Sequence, residues 1–539
     1  MRARFDIAIV GSGFAGSLLA IVCRRLGRSV VLIERGTHPR FAIGESSSPL
    51  PNLLLEELCD RYDLPRIRPL SAWGSWQRSF PGIACGLKRG FTFYGHRPGH
   101  PFAGAADRSD QLLVAASPRD EIADTHWYRA DFDHFLVREA QNEGAEYLDQ
   151  TVLESVESNA AGLALRGERL GRQVKVRARF VVDASGPRGF LHRALGLRQS
   201  VFPTLPETQA LYSHFEGVRR WEDLGLSPDL EAPPYPVDAA ALHHVFDGGW
   251  IWVLRFDSGL VSAGVAAAPR LADELRLSDA EEAWQRLLSR FPSIREQFVD
   301  ARAVQPFVHA ARLPFRSARA AGDRWTLLPS AAAFIDPLLS TGFPLTLLGI
   351  ERIAGTLERS WGRSDIGRAF EEHGSATLAE ADTAALLISA LYASFSDFEL
   401  FAGLSLLYFA AASFAEAARR LGRRKLSGSF LSGDHPVFGP ALRECCRRAL
   451  EIGRDPSRDD RERLLSKIFE AVELLDVAGL GDASRRRWHP MEAEPLRRNA
   501  HTLHATRAEI EAMLADSGFD PEAALSCAPE DKRAATLVR

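Results

Sequence analysis

The sequence predicts an α/β protein with a parallel βαβ unit at the start, a mixed β-sheet region in the middle and a helical C-terminal module. Three observations carry this. Residues 5–10 (Phe-Asp-Ile-Ala-Ile-Val) and 29–34 (Ser-Val-Val-Leu-Ile-Glu) are short apolar runs, the pattern of strands covered on both faces. Between them a glycine-rich turn leads into an apolar helix ending near Leu26. From about residue 366 onward Ala, Leu, Arg and Glu recur at helical spacing. At 539 residues the chain exceeds what one core usually holds, so two or three closely packed modules are expected.

The elements follow in order. Residues 60–125, rich in Trp, Phe, Gly and Pro, read as a strand-and-loop excursion. A helix is expected near Phe132–Gly144, then short strands over 146–183 and an alternation of strands with polar helices over 195–310. Residues 326–360 read as a strand, a turn and a long helix. Leu400–Ala415 carries 16 residues without a charge, bounded by Glu399 and Glu416. A bilayer crossing needs roughly 20, so the segment reads as a buried helix and no membrane span is expected.

Composition narrows the function. With 46% apolar and 25% charged residues the chain is an ordinary globular protein, and a net charge of −4 argues against nucleic acid as a partner. The six cysteines (Cys23, Cys59, Cys85, Cys445, Cys446, Cys527) form no C-x-x-C pair, so neither a disulfide framework nor a metal site is expected. The opening residues enter a strand without a signal-peptide layout, which suggests a cytoplasmic enzyme. Only five lysines stand against 61 arginines. A retained lysine is either a chance remainder or a place where an amine is needed.

Gly11-Ser-Gly13-Phe14-Ala15-Gly16 follows the first strand. Gly11 makes the tight turn, Gly13 lets the backbone approach a pyrophosphate, and Gly16 lets helix and strand pack closely. The helix N-terminus offers free N–H groups to phosphate. Glu34 ends the second strand, 23 residues after Gly11, where a carboxylate binds ribose hydroxyls; Arg35 follows it. Strand, spacing and acid together indicate a dinucleotide site.

Two further segments, Tyr128-Arg129-Ala-Asp-Phe-Asp133 and Phe180-Val-Val-Asp183-Ala-Ser-Gly186, resemble those of the FAD-binding family of aromatic hydroxylases, prenyl reductases and flavin halogenases. The resemblance implies that Arg129 and Asp183 serve the cofactor. As a bare residue pattern, Arg129 also suits an i,i+4 ion pair with Asp133.

Phe334-Ile-Asp336-Pro337-Leu-Leu339-Ser340-Thr341-Gly342 runs into Phe343-Pro344 and an apolar helix. Ser340 and Thr341 can cap that helix, Pro344 suits its first turn, and its amides favour an anion. The segment resembles the Phe-x-x-Pro-x-x-Ser-x-Gly pattern of flavin halogenases. There it lies against the isoalloxazine, and its Thr-Gly amides, here Thr341 and Gly342, hold the halide. Gly86-Leu-Lys88-Arg-Gly90-Phe-Thr-Phe93 is similar to the segment carrying the catalytic lysine, which makes Lys88 the catalytic candidate. An arginine cannot replace it, because a guanidinium is effectively never deprotonated. Gly44-Glu45-Ser46 matches a loop over the flavin.

The departures are specific. The family's Trp-x-Trp-x-Ile-Pro appears as Trp250-Ile-Trp252-Val-Leu254-Arg255, whose period-two alternation also suits a plain half-buried strand. Leu328-Pro329-Ser330-Ala331 replaces the usual Gly-Asp, so Ser330 stands where a carboxylate meets the ribityl chain. Leu339 occupies the place of a glutamate in free-tryptophan halogenases, closer to the phenol- and pyrrole-type enzymes.

The resemblance therefore implies a GR2-type Rossmann-like FAD-binding domain from segments 1–60, 130–195 and 310–365. A mixed β-sheet substrate domain comes from 61–129 and 196–309, and a helical C-terminal module from 366–539. The implied activity is FADH2-dependent chlorination or bromination of an electron-rich aromatic compound, using O2 and chloride or bromide through a flavin hydroperoxide and hypohalous acid. The alternative on the same fold is a flavin monooxygenase or prenyl-type reductase. The implied partners are a separate flavin reductase and a small aromatic substrate, free or tethered to a carrier protein, with the enzyme a monomer or homodimer. Trp250, Trp252, Leu339 and Phe343 are the expected pocket residues.

Overall fold

The computed structural model describes residues 4–159, 162–226 and 231–519; Cys527 lies outside them. The first strand, Phe5–Val10, is the centre of an eight-stranded sheet. Val30–Ile33 and Arg172–Asp183 flank it in parallel, and Glu146–Leu148 and Trp325–Leu327 extend the sheet outward, also in parallel. Ile7, Ala8 and Ile9 have no exposure, which is why the run carries no polar alternation. Helix Phe14–Arg25 crosses between the first two strands, burying Leu18, Leu19, Ile21 and Val22. Arg24 and Arg25 occupy its last turn, where positive charge suits the dipole. Val10, Ile33, Asp183 and Leu327 end their strands at the same edge. That carboxyl edge is where open α/β sheets bind ligands.

The stretch 146–183 holds longer strands than the sequence suggests. Thr151–Asn159, Gly162–Arg169 and Arg172–Asp183 form an antiparallel meander. The last strand is shared, pairing with the meander at its start and with Phe5–Val10 at its end.

A second, nine-stranded sheet takes Gly90–Gly95 and Gln111–Ala115 from the excursion and Gln209–Glu216, Ala241–Phe246, Gly249–Arg255 and Val261–Ala267 from the middle of the chain. Strand Gly249–Arg255 is not half-buried. Trp250, Trp252 and Leu254 join the core shared with the first sheet, while Ile251 and Val253 join a separate core behind it. The helical module also supplies a strand: Trp488–His489 adds to the sheet edge beside Leu113–Val114. Two residues are too short to show a period.

Helices Ile366–Ala393 and Phe398–Arg420 are long and apolar enough to cross a membrane by composition, yet 67% and 78% of their most apolar windows are buried inside the protein. They are core helices here. The Asp397 carboxylate caps the second by accepting from the amides of Glu399 and Leu400. The five described cysteines are free and buried.

Candidate active site

At the carboxyl edge of the first sheet lies a cavity of about 550 Å³. Gly11 has φ +100°, and a Cβ there would sit 2.5 Å from the Ala184 carbonyl oxygen. A Cβ on Gly16 would lie 1.9 Å from the Gly11 oxygen. Both contacts exclude any side chain. Gly13 is the N-cap of Phe14–Arg25 and brings no capping side chain, so the cavity wall formed by Gly13, Phe14 and Ala15 presents helix amides. Glu34, 7% exposed, accepts from the Ser12 amide and hydroxyl and from the Gly36 amide. Burial would raise its pKa, but those hydrogen bonds and Arg40 outweigh it, and the carboxyl stays below its usual range. Arg35 lines the same cavity.

The other predicted cofactor residues divide. Arg129 does both things open to it: it forms a bidentate pair with Asp133 at 2.7 and 2.8 Å and lines the cavity, donating also to the carbonyls of Ile43 and Gly44. Asp183 does not face the cavity. It accepts from the amides of Ser185 and Leu191, folding the turn whose Ala184, Ser185 and Gly186 do. Ser330, Asp336, Thr341, Gly342 and Phe343 line the cavity; the expected cofactor residues Glu45, Ser46 and Pro337 do not. Glu45 is 2% exposed and pairs with His214 at 2.9 Å. Neither Ser340 nor Thr341 caps the helix Gly342–Ser360 with its side chain.

The residues fit FAD. The helix amides and Glu34 suit a diphosphate and a ribose, and the buried Nε of Arg40, in the cavity wall, has no hydrogen-bond partner among the described residues and is free to donate to a phosphate. Arg40 was not legible as a site residue because it follows no motif spacing. A Cβ on Gly342 would meet nothing within 4 Å, so the turn beside Thr341 opens onto free space.

Lys88 ends strand Cys85–Lys88, paired across a two-stranded ladder with Asp124. It has no exposure. Its Nζ donates to Ser46 Oγ at 2.9 Å and to the Ser47 carbonyl, and lies 3.7 Å from the centre of the Phe91 ring. Burial drives its pKa down to about 7 against the pull of Asp124, whose own carboxyl is raised by burial to about 8. Asp124 Oδ1 accepts from Asn52, which in turn accepts from Ser47, while Asp124 Oδ2 has no hydrogen-bond partner among the described residues. Strand Cys85–Lys88 approaches the second sheet closely: a Cβ on Gly86 would lie 1.9 Å from the Arg255 carbonyl. Arg255, where the family has proline, pairs with Asp238 at 2.9 Å.

A second cavity, about 300 Å³, is walled by Phe91, Tyr408 and Phe409 with Asn52 and Asp124, and bordered by residues between 477 and 519 of the helical module. One segment, a loop running into helix Pro49–Tyr62, joins the two cavities. Ile43 and Gly44 line the first, Ser46 and Ser47 hold Lys88, which itself lines neither, and Ser48, Pro49, Leu50, Asn52 and Leu53 line the second. Of the expected pocket residues, Trp250, Trp252 and Leu339 line neither cavity, and Phe343 lines the first, stacked on Trp127 at 4.4 Å. Trp252 donates to Ser262, and Leu339, fully buried, adopts φ 60°. Sequence periodicity could not separate ring-lined pocket from ring-packed core.

With this geometry in place, known proteins give consistent comparisons. The family described as FAD dependent oxidoreductase matches residues 6–320. Monodechloroaminopyrrolnitrin halogenase PrnC of Pseudomonas fluorescens is 31% identical over 406 residues, 74% of this chain and 69% of that one. Tetracycline 7-halogenase of Kitasatospora aureofaciens is 28% identical over 97% of both chains. The crystal structure of halogenase PltM in complex with phloroglucinol and FAD covers 90% of this chain and 99% of its own, with 27% identity and a TM-score of 0.78. The chain belongs to the FAD dependent oxidoreductases and, within them, to the flavin-dependent halogenases.

Proposed function

We propose that the protein halogenates a small electron-rich aromatic compound, a phenol or aniline, held in the second cavity, with Lys88 as the group that passes the halogen from the first cavity to the second. When bound, reduced FAD supplies, with O2 and chloride or bromide, hypohalous acid. Gly11, Gly13 and the first turn of Phe14–Arg25 hold the diphosphate, Glu34 the ribose, and Thr341 and Gly342 the halide. Ser46 and the Ser47 carbonyl fix the Lys88 amine, and burial keeps a large fraction of it neutral near pH 7, as a nucleophile requires. Phe91, Tyr408 and Phe409 offer ring faces to the substrate, and the helical module forms part of its wall. A separate cytoplasmic reductase supplies the reduced flavin.

The observation that carries this reading is the continuous segment 43–53, a loop running into the first turn of helix Pro49–Tyr62, which lines both cavities at its two ends and binds the Lys88 amine through Ser46 and Ser47 in its middle. Lys88→Ala tests it: reduced flavin should still be consumed in air with bromide present, while brominated product from a phenol and aniline panel is lost. Lys88→Arg should fail as well. Full product from Lys88→Arg overturns the role of the amine, and product only from carrier-bound substrates overturns the free-substrate reading.

A further inference from the structure

Asp336 is 4% exposed, and every partner it has is a neutral donor. Oδ1 accepts from the Leu338 amide at 3.0 Å and from Trp250 Nε1 at 3.2 Å. Oδ2 accepts from the Tyr392 hydroxyl at 2.9 Å and from Thr208 Oγ1 at 3.3 Å. The donors come from the turn itself, the second sheet, its leading loop and helix Ile366–Ala393 of the C-terminal module. Four segments of the chain thus converge on one carboxylate.

That carboxylate begins an unusual turn. Leu339 and Ser340 take φ 60° and 54° in succession, a left-handed conformation that L-residues rarely adopt and that persists only where surroundings impose it. The bond from the Leu338 amide to Asp336 is an Asx-type closure that starts the turn, and Ser340 N donates to the Pro337 carbonyl to finish it. Immediately after come Thr341 and Gly342, on the wall of the first cavity.

We propose that Tyr392 and Trp250 are positioning residues for the halide: by holding Asp336 they fix the turn 338–340 and so aim the Thr341 and Gly342 amides. The inference rests on the assignment of the halide to those amides. It gives Trp250 a task that ring packing does not, since its indole N–H is the group that acts. It also makes the C-terminal module a contributor to halide affinity, through Tyr392, rather than only a wall of the substrate cavity. Losing the Tyr392 hydroxyl leaves Oδ2 with the longer Thr208 bond alone.

The test uses the FAD-loaded, oxidised protein without turnover, titrated with bromide and chloride and read by the flavin difference spectrum. Steady-state KM values for halide and for the aromatic substrate accompany it. Tyr392→Phe should raise the halide Kd and KM five- to twentyfold with the aromatic KM within twofold and FAD still stoichiometric. Trp250→Phe should do the same at about threefold, and provides the answer if Tyr392→Phe does not fold. An unchanged halide Kd in both, with only a lower Tm, overturns the proposal. Gly342→Val separates the two levels. If it leaves the halide Kd unchanged, the halide assignment itself fails. If it weakens halide binding while Tyr392→Phe and Trp250→Phe do not, only the positioning role fails.

Discussion

Two turns in this protein follow nearly the same path and do different things. In the first, Leu339 and Ser340 have φ 60° and 54°, and Thr341 follows at φ −63°, ψ −22°. In the second, Leu431 and Ser432 have φ 58° and 48°, and Gly433 follows at φ −63°, ψ −22°. Each rests a backbone amide on a buried carboxylate, Leu338 on Asp336 and Phe430 on Glu380. The differences lie around the backbone. Gly433 is the counterpart of Thr341, and a Cβ on it would meet Thr383 Oγ1 at 3.0 Å, whereas Thr341 and Gly342 line the first cavity and a Cβ on Gly342 would meet nothing within 4 Å. Asp336 is held by neutral donors, while Glu380 takes a bidentate pair from Arg352 at 2.9 and 2.7 Å. A strained turn is therefore not by itself a site. The void beside it makes the site.

Filling that void should have the largest effect. Gly342→Val places branched carbons on the cavity wall without a backbone clash, so the fold and Tm should hold while halogenation falls on the order of 10³-fold, because the side chain keeps the halide from amides that are themselves retained. Product formation within tenfold of the parent would mean that the open turn is incidental. Next is the second turn's ion pair. Arg352→Met leaves Glu380, 4% exposed, with the Phe430 amide as its one remaining donor among the described residues, which should cost about 3 kcal/mol of stability by denaturant unfolding. The halide KM should not move.

How much of this contrast can be read from sequence depends on chain distance. The βαβ unit and its glycines are legible because strand, turn, helix and acid lie within residues 5–34. The first turn is legible from Phe334 to Gly342, where composition and spacing are local. Its twin is not, because Phe-Leu-Ser-Gly resembles nothing until its dihedral angles are seen. Trp250 and Asp336 are 86 residues apart, and Tyr392 is 56 beyond Asp336, so no periodicity joins them. The second cavity draws on segments near 50, 120, 410 and 480–519, each an ordinary apolar run alone. Lys88 stands out in an arginine-rich chain, but its partner Asp124 appears only through a ladder of two four-residue strands.

The next effect in size separates the halide turn from the lysine behind it. With the Lys88 pKa lowered to about 7, the amine is protonated below that pH and neutral above it. Asp124, His126 and His243 face it. The two histidines are held neutral by burial, and Asp124 is raised to about 8, so the carboxylic acid does not lock the ammonium in place. Product per reduced flavin should therefore rise about tenfold from pH 6 to pH 8, while reduced-flavin oxidation follows no such curve. A yield that falls across this range would exclude the neutral amine as the working form.

The smallest effect belongs to the packed twin. At Gly433 the backbone is helical, so alanine carries no conformational penalty and should gain a few tenths of a kcal/mol by restricting the unfolded chain. Against this, its Cβ would press on Thr383 Oγ1 at 3.0 Å and Cγ2 at 3.1 Å. Thr383 is β-branched within a helix, and its hydroxyl donates to the Ala379 carbonyl at 3.1 Å, so it yields little. Gly433→Ala should accordingly lose about 1 kcal/mol of stability with halide KM and product yield unchanged. Thr383→Ala removes both contacting atoms. In that background Gly433→Ala should become neutral or stabilising by about 0.5 kcal/mol. If Gly433→Ala shifted the halide KM instead, the two turns would be coupled through helix Ile366–Ala393, which carries both Tyr392 and Glu380, and they could no longer be treated as an active site and an inert copy.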